Sequence, residues 1–173
     1  MKVFKCRICR EGYLGDEKPT HCPFCGAHQQ YIIDLESAGF NIPEYILNNI
    51  SRHNLEQALK FEVDNAEFYF CAADHADNMH DATMFNRLAK IESEHASVIT
   101  KELKISSVKI RRGAFTCYCE NVYNLKESHA LETHAIDYYN KFLDVATEER
   151  VIEVFTALIE IEFDHLTLTR GRF

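Results

Sequence analysis

The feature that most constrains this chain is a set of polar residues repeated at one offset inside apolar helical stripes. Glu62, Tyr69, Glu92 and His95 recur as Glu132, Tyr139, Glu162 and His165, because 132 − 62, 139 − 69, 162 − 92 and 165 − 95 all equal 70. In "ALIEIEFDHLTL", residues 157–168, Glu162 and His165 continue a stripe that runs Val151, Val154, Phe155, Leu158 and ends at Leu166. Spacings of three and four keep these residues on one helix face. Glu160 and Asp164 fall off that face and are expected to be solvated. The same pattern runs through Met84, Leu88, Ile91, Glu92, His95 and Ile99. It recurs in Leu55, Leu59, Glu62, Ala66 and Tyr69, and again in Leu125, Glu132, Ile136, Tyr139 and Leu143.

Helical periodicity predicts four long helices, over roughly 51–75, 80–103, 122–146 and 148–169, with Thr147 as the N-cap of the last. Short connections make the first two antiparallel neighbours, and likewise the last two. Between the pairs lies an 18-residue segment, 104–121, long enough at about 3.3 Å per residue to run the length of a bundle. The expectation is an all-α ferritin-like four-helix bundle, residues 51–173, with one long crossover. Four carboxylates and two imidazoles then converge on its interior. A single unpaired buried carboxylate costs several kcal/mol, and no Lys or Arg stands in the four stripes to offset it. Two divalent cations do so, and Glu and His ligands suit iron or manganese. One Glu from each of two helices plus Glu-x-x-His from each of the other two is a di-iron or di-manganese carboxylate pattern.

Residues 1–36 carry a second chemistry. "FKCRICREGYLGDEKPTHCPFCG" sets out Cys6, Cys9, Cys22 and Cys25 as C-x2-C-x12-C-x2-C, two knuckles able to present four thiolates to one ion. The spacing leaves zinc, a structural clip, and iron, a one-electron carrier, both open. This unit is too short for a core of its own. Residues 37–50 are expected to be a linker with a short helix starting near Pro43.

A net charge of −8 argues against nucleic acid as a partner. No apolar run approaches the roughly 20 residues of a membrane span. "MKVFKCRICR" meets a cysteine cluster at once, so a cytoplasmic location is expected and metal use of the cysteines is favoured over disulfides. Cys117 and Cys119, a C-x-C in the crossover, are read as ordinary thiols, and Cys71 as a small buried one. Tyr69 and Tyr139 are read as core aromatics whose hydroxyls find a partner. His75, His80 and His134 are placed at the surface or at helix ends.

With both parts in place, nearly the whole chain resembles the rubrerythrin family. The cysteine unit, with Phe4 two residues before the first Cys, is similar to its rubredoxin-like domain, and residues 51–169 are similar to its ferritin-like di-iron domain. Glu62, Glu92, His95, Glu132, Glu162 and His165 fall on the family's ligand positions. The cysteine domain comes first, as in reverse rubrerythrins. Two residues depart from the pattern. His129 stands where the family carries an extra glutamate; it is read as a hydrogen-bonded core histidine, with a seventh metal ligand or a donor to a ligand as the alternatives. Arg10 stands where the first knuckle usually has Gly.

The resemblance implies a peroxidase. A di-iron centre reduces hydrogen peroxide to water, and the rubredoxin-like iron returns electrons drawn from a reductase. It also implies a homodimer that brings the cysteine domain of one subunit beside the di-iron centre of the other. Two other readings are iron oxidation by dioxygen, and a non-enzymatic zinc-clipped sensor or interaction module.

Overall fold

The computed structural model describes residues 1–173. Four helices, α1 (Asn49–His75), α2 (Met79–Leu103), α3 (Asn121–Val145) and α4 (Glu149–Thr169), build the bundle. α1 packs chiefly on α2 and α3 chiefly on α4, as their short connections dictate. α1 starts at Asn48, whose side chain accepts from the Ser51 backbone N–H at 2.8 Å. α2 starts in the same way at Asn78, which accepts from the Asp81 N–H at 2.9 Å. It ends at Lys104, a left-handed residue with φ 56°. The N-cap of α4 is Glu148 rather than Thr147. The Glu148 carboxylate turns away to accept from Ser51 Oγ at 2.6 Å and the Asn48 N–H at 2.7 Å, tying the start of α4 to the start of α1.

The N-terminal unit is more ordered than its loop-rich sequence suggests. β1 (Lys2–Cys6) sits between β2 (Gly12–Gly15) and β3 (Ile32–Asp34) in an antiparallel sheet of order β2-β1-β3. The helix expected near Pro43 does not form; residues 39–48 have no helix or strand. The crossover, 105–120, has no helix or strand either.

The N-terminal unit has no separate core. Phe4, Ile8, Cys9, Ala27 and Ile32 belong to the same buried cluster as Leu55, Val98, Tyr139, Phe155 and Ile161 of the bundle. Charges fix the docking. Arg10 donates to both oxygens of buried Glu102, each at 3.0 Å. Arg150 joins the same carboxylate at 2.7 Å and also donates to the Ile8 carbonyl at 3.0 Å. Arg7 pairs with Glu153 at 2.6 Å. Arg10 takes up the left-handed backbone, φ 70°, that favours glycine. Its Nη2 reaches both oxygens of Glu102, so the residue that departs from Gly docks the unit.

Glu160 and Asp164 are likewise docking residues, not merely solvated ones. Gln30 donates to Glu160 at 3.1 Å, and His28 Nε2 lies 2.7 Å from Asp164. No helix is long and apolar enough to cross a membrane.

Candidate metal centre

The six polar residues of the repeated stripes meet in the bundle interior. Glu62, Glu92, Glu132, Glu162 and His95 are at most 1% exposed, and His165 is 4% exposed. Each helix delivers its ligands because its neighbours in the stripe, such as Ala58 and Ala66 around Glu62 or Leu158 and Ile161 before Glu162, are themselves buried.

The ligand atoms fall into two sets of four. Glu62, Glu92, His95 and Glu162 form one, and Glu92, Glu132, Glu162 and His165 form the other. Glu92 and Glu162 belong to both sets, while Glu62 and Glu132 each belong to one. His95 Nδ1 lies 2.8 Å from Glu92, 3.3 Å from Glu162 and 3.4 Å from Glu62. His165 Nδ1 lies 2.8 Å from Glu162 and 3.1 Å from Glu92. The two rings face each other with centroids 6.0 Å apart.

One oxygen of each of the four carboxylates (Glu62 Oε2, Glu92 Oε1, Glu132 Oε2, Glu162 Oε1) is buried without a hydrogen-bond donor. Orphaned oxygens of this kind are costly, and four converging in one space fit a pair of cations. Protons occupy the site otherwise. Burial, together with the charges of Glu162 and Glu92, pushes the Glu132 carboxyl up to about 8. Burial also holds Glu62 well above the carboxylate range. Glu92 is held below that range because His165 and His95 outweigh its burial. Burial pushes both imidazoles down, but the carboxylates around them raise them well above the usual histidine value. Metal binding at these six groups therefore displaces protons.

The surrounding residues set the ligands' orientation. Tyr69 donates to Glu132 and Tyr139 to Glu62, so each tyrosine holds the terminal glutamate of the opposite half. His129 is outside both ligand sets. Its Nδ1 is 3.3 Å from Thr169 Oγ1, and its ring meets Phe173 edge-on, in keeping with a hydrogen-bonded histidine.

The four cysteines form the third candidate position. Cys6, Cys9, Cys22 and Cys25 are buried together, with Cys6 Sγ 3.8 Å from Cys25 Sγ and Cys9 Sγ 3.7 Å from Cys22 Sγ. A metal bound at about 2.3 Å to four sulfurs in a tetrahedron needs S···S edges of about 3.8 Å. The set fits a rubredoxin-like site, and the distances suit zinc and iron alike.

The two centres touch within one chain. His95 Nε2 donates to the Cys25 carbonyl at 2.9 Å. That bond fixes the tautomer and leaves Nδ1 free to ligate. Gly26, at φ 79°, allows the approach, since a Cβ there would stand 3.0 Å from Ile161 Cγ2. His165 instead borders a cavity of about 770 Å³ lined by Met84, Leu88, Ile91 and Leu168, with His80, Arg87 and Arg172 also on its wall. The sequence did not mark this opening, although Met84 and Ile91 had been placed in the core stripe.

The cysteines of the crossover differ from expectation. Cys71 is half-buried rather than buried, and it is joined to Cys117 in a disulfide; Cys119 alone is a free, exposed thiol. The hydrophobic stripe of α1 gave no sign of the pairing, because Cys71 points away from it toward a crossover whose path no periodicity predicts. His75, His80 and His134 are exposed, as expected.

Comparison with known proteins agrees with this geometry. Residues 53–170 match the Rubrerythrin family model. The chain is similar to reverse rubrerythrin-1 of Clostridium acetobutylicum, 28% identical over 107 residues, covering 56% of this chain and 59% of that protein. It thus spans less than two thirds of that relative's length. A solved structure of a hypothetical protein from Pyrococcus furiosus shares the fold at 18% identity, with a TM-score of 0.60 over 70% of this chain and 87% of the other.

Proposed function

The chain belongs to the rubrerythrin family, a di-iron protein family whose members are typically oxidoreductases, and on that premise we propose that it reduces hydrogen peroxide to water. The observation that carries this reading is the hydrogen bond from His95 to the Cys25 carbonyl, which joins a six-ligand carboxylate and histidine centre to a four-thiolate centre. Glu62, Glu92, His95, Glu132, Glu162 and His165 would hold two iron ions, and the four cysteines one more. Iron held there would supply the redox chemistry for cleaving the O–O bond.

The protein's own groups do the rest. Glu92 and Glu162 hold the two positions together, and Tyr69 and Tyr139 keep the terminal carboxylates oriented. The cavity beside His165, open to solvent and walled largely by Met84, Leu88, Ile91 and Leu168, admits a small neutral oxidant. The His95 side receives electrons through the knuckle, and an external reductase supplies them there. With the two centres joined in one chain, the homodimer of this reading is not needed to bring them together.

Stopped-flow mixing of the anaerobically reduced protein with peroxide and with dioxygen tests the proposal. Oxidation of the bundle centre is expected to be much faster with peroxide. Equal rates, or a faster reaction with dioxygen, sink the peroxidase reading in favour of iron oxidation. Zinc in the four-cysteine site of anaerobically purified protein removes the internal donor.

A further inference from the structure

We propose that Cys71, His75 and Cys117 form a second, thiol-based redox site, a disulfide in the oxidised protein and a zinc-binding set in the reduced one. Its parts lie outside the metal centres already described. Cys71 and His75 are four residues apart in the last turns of α1, so they share one face. The crossover brings Cys117 against that face. His75 Nδ1 lies 3.5 Å from Cys117 Sγ and 3.9 Å from Cys71 Sγ. The three residues bring one ligand atom each within 4.8 Å of one another. Two thiolates and an imidazole are the ligand types zinc prefers, and three protein ligands leave a fourth position for water.

The same face of α1 anchors the rest of the crossover. The Arg111 N–H donates to Glu67 at 3.0 Å, and Arg112 lies over the Phe70 ring at 4.9 Å. Behind it, Phe115 meets Phe68, and Cys117 packs on the cluster that contains Tyr69. The cysteine pair therefore pins the crossover to the outer face of α1, beside Phe68 and its cluster. Cys71 and Cys117 are only half-buried and His75 is exposed, so oxidant, reductant and metal reach them from solvent.

The chemistry balances with hydrogen peroxide as oxidant. One thiolate attacks peroxide, breaking the O–O bond and giving a sulfenic acid, while the departing hydroxide takes a proton and leaves as water. The other thiolate attacks that sulfur; the S–S bond forms, and the sulfenic oxygen leaves as hydroxide and takes a second proton. In sum, two thiols and one peroxide give one disulfide and two waters. Disulfide sulfur is no anionic ligand, so zinc departs. A small dithiol returns two electrons and two protons. In the disulfide form His75 Nδ1–H donates to the Cys71 carbonyl at 3.0 Å, which places a proton donor beside the sulfur that must leave.

The test uses the full chain with iron in the bundle and four-cysteine sites. Oxidised and dithiol-reduced samples are titrated anaerobically with zinc, with iron content followed in parallel. The reduced chain is expected to take up one more zinc than the oxidised chain. Cys117→Ser and His75→Ala are expected to lose that zinc while retaining their iron. Cobalt(II) in place of zinc is expected to show a thiolate charge-transfer band in the reduced wild type alone. Peroxide is then expected to release the zinc and to yield a Cys71–Cys117 cross-linked peptide by mass spectrometry. The proposal fails if reduction adds no zinc site, if His75→Ala binds as much zinc as wild type, or if peroxide leaves residues 71 and 117 unlinked. His75 is exposed and terminates its helix, so its variant keeps the test decisive even if Cys117→Ser folds poorly.

Discussion

His95 and His165 occupy the same place in the two halves of the bundle, yet the protein surrounds them differently. Each follows a glutamate by three residues, each points Nδ1 at the shared carboxylates, and the two rings are nearly parallel. Beyond the ring the likeness ends. His95 is sealed, its Nε2 bound to the carbonyl of a cysteine knuckle. His165 borders a cavity open toward solvent. A symmetric set of candidate ligands thus gains one sealed side and one open side, because the cysteine unit packs on only one of them. The carboxylates hold a similar lesson. Glu92 and Glu162 belong to both sets of four, while Glu62 and Glu132 belong to one each.

The largest effect is expected where the halves share a residue. Glu92→Ala should empty both bundle positions, whereas Glu62→Ala should empty only the one beside His95, and Glu132→Ala only the one beside His165. Iron counts per chain, with the four-cysteine iron as internal reference, check this. A single iron retained in Glu92→Ala would show that the carboxylate does not bridge.

Next come the paired tyrosines. Tyr69→Phe and Tyr139→Phe each free a terminal carboxylate, and metal affinity should fall about 10- to 100-fold in either. Competition against a chelator measures it, and unequal losses would extend the asymmetry to the ligands themselves.

Smaller, crossed effects are expected from the two sides. Gly26→Ala forces a side chain into left-handed backbone at a cost of about 1–2 kcal/mol and presses on Ile161. It should slow reduction of the bundle centre by the knuckle several-fold and leave the peroxide step alone. Met84→Trp, filling the cavity, should do the reverse. Stopped-flow resolves the two steps, and a variant that slows both equally would erase the distinction between sides.

The smallest effect concerns a feature of one half only. Asp81 accepts from Asn121 at 2.6 Å and pairs with Arg172, and its counterpart 70 residues on is Val151. Burial pushes its carboxyl up, but Arg172, His80, Asn78 and Asn121 together hold it below the usual range. A depressed value means the folded state favours the charged form. Its stabilisation is therefore complete above the unfolded value of about 4 and is lost as pH falls through the folded value. Asp81→Asn should cost about 1 kcal/mol at neutral pH and flatten the acid limb of a stability–pH curve from denaturant titrations.

Much of this was legible in advance because it is local. Glu62, Glu92, His95, Glu132, Glu162 and His165 were found from helical spacing, and the bundle brings all six together. The four cysteines declared themselves by two C-x2-C pairs. Other features depended on where segments travel. Thr147 had the right type for an N-cap, but a carboxylate reaching across to α1 moved the cap to Glu148. Arg10 in a glycine position became intelligible only once Glu102 stood opposite it. Cys71 and Cys117 are 46 residues apart, and no periodicity connects a helix to an irregular crossover.

The sequence by itself determined which carboxylates and histidines share the interior faces, their pairing by a 70-residue repeat and the helices that carry them, because helix geometry converts spacing directly into a face. Only the tertiary structure decided that the cysteine knuckle seals His95 and leaves His165 beside an opening. The N-terminal unit docks on α2 through Arg10 and on α4 through Arg7, Gly26, His28 and Gln30, whose partners lie in distant parts of the chain. Such contacts follow from how whole surfaces fit together, which no local pattern encodes.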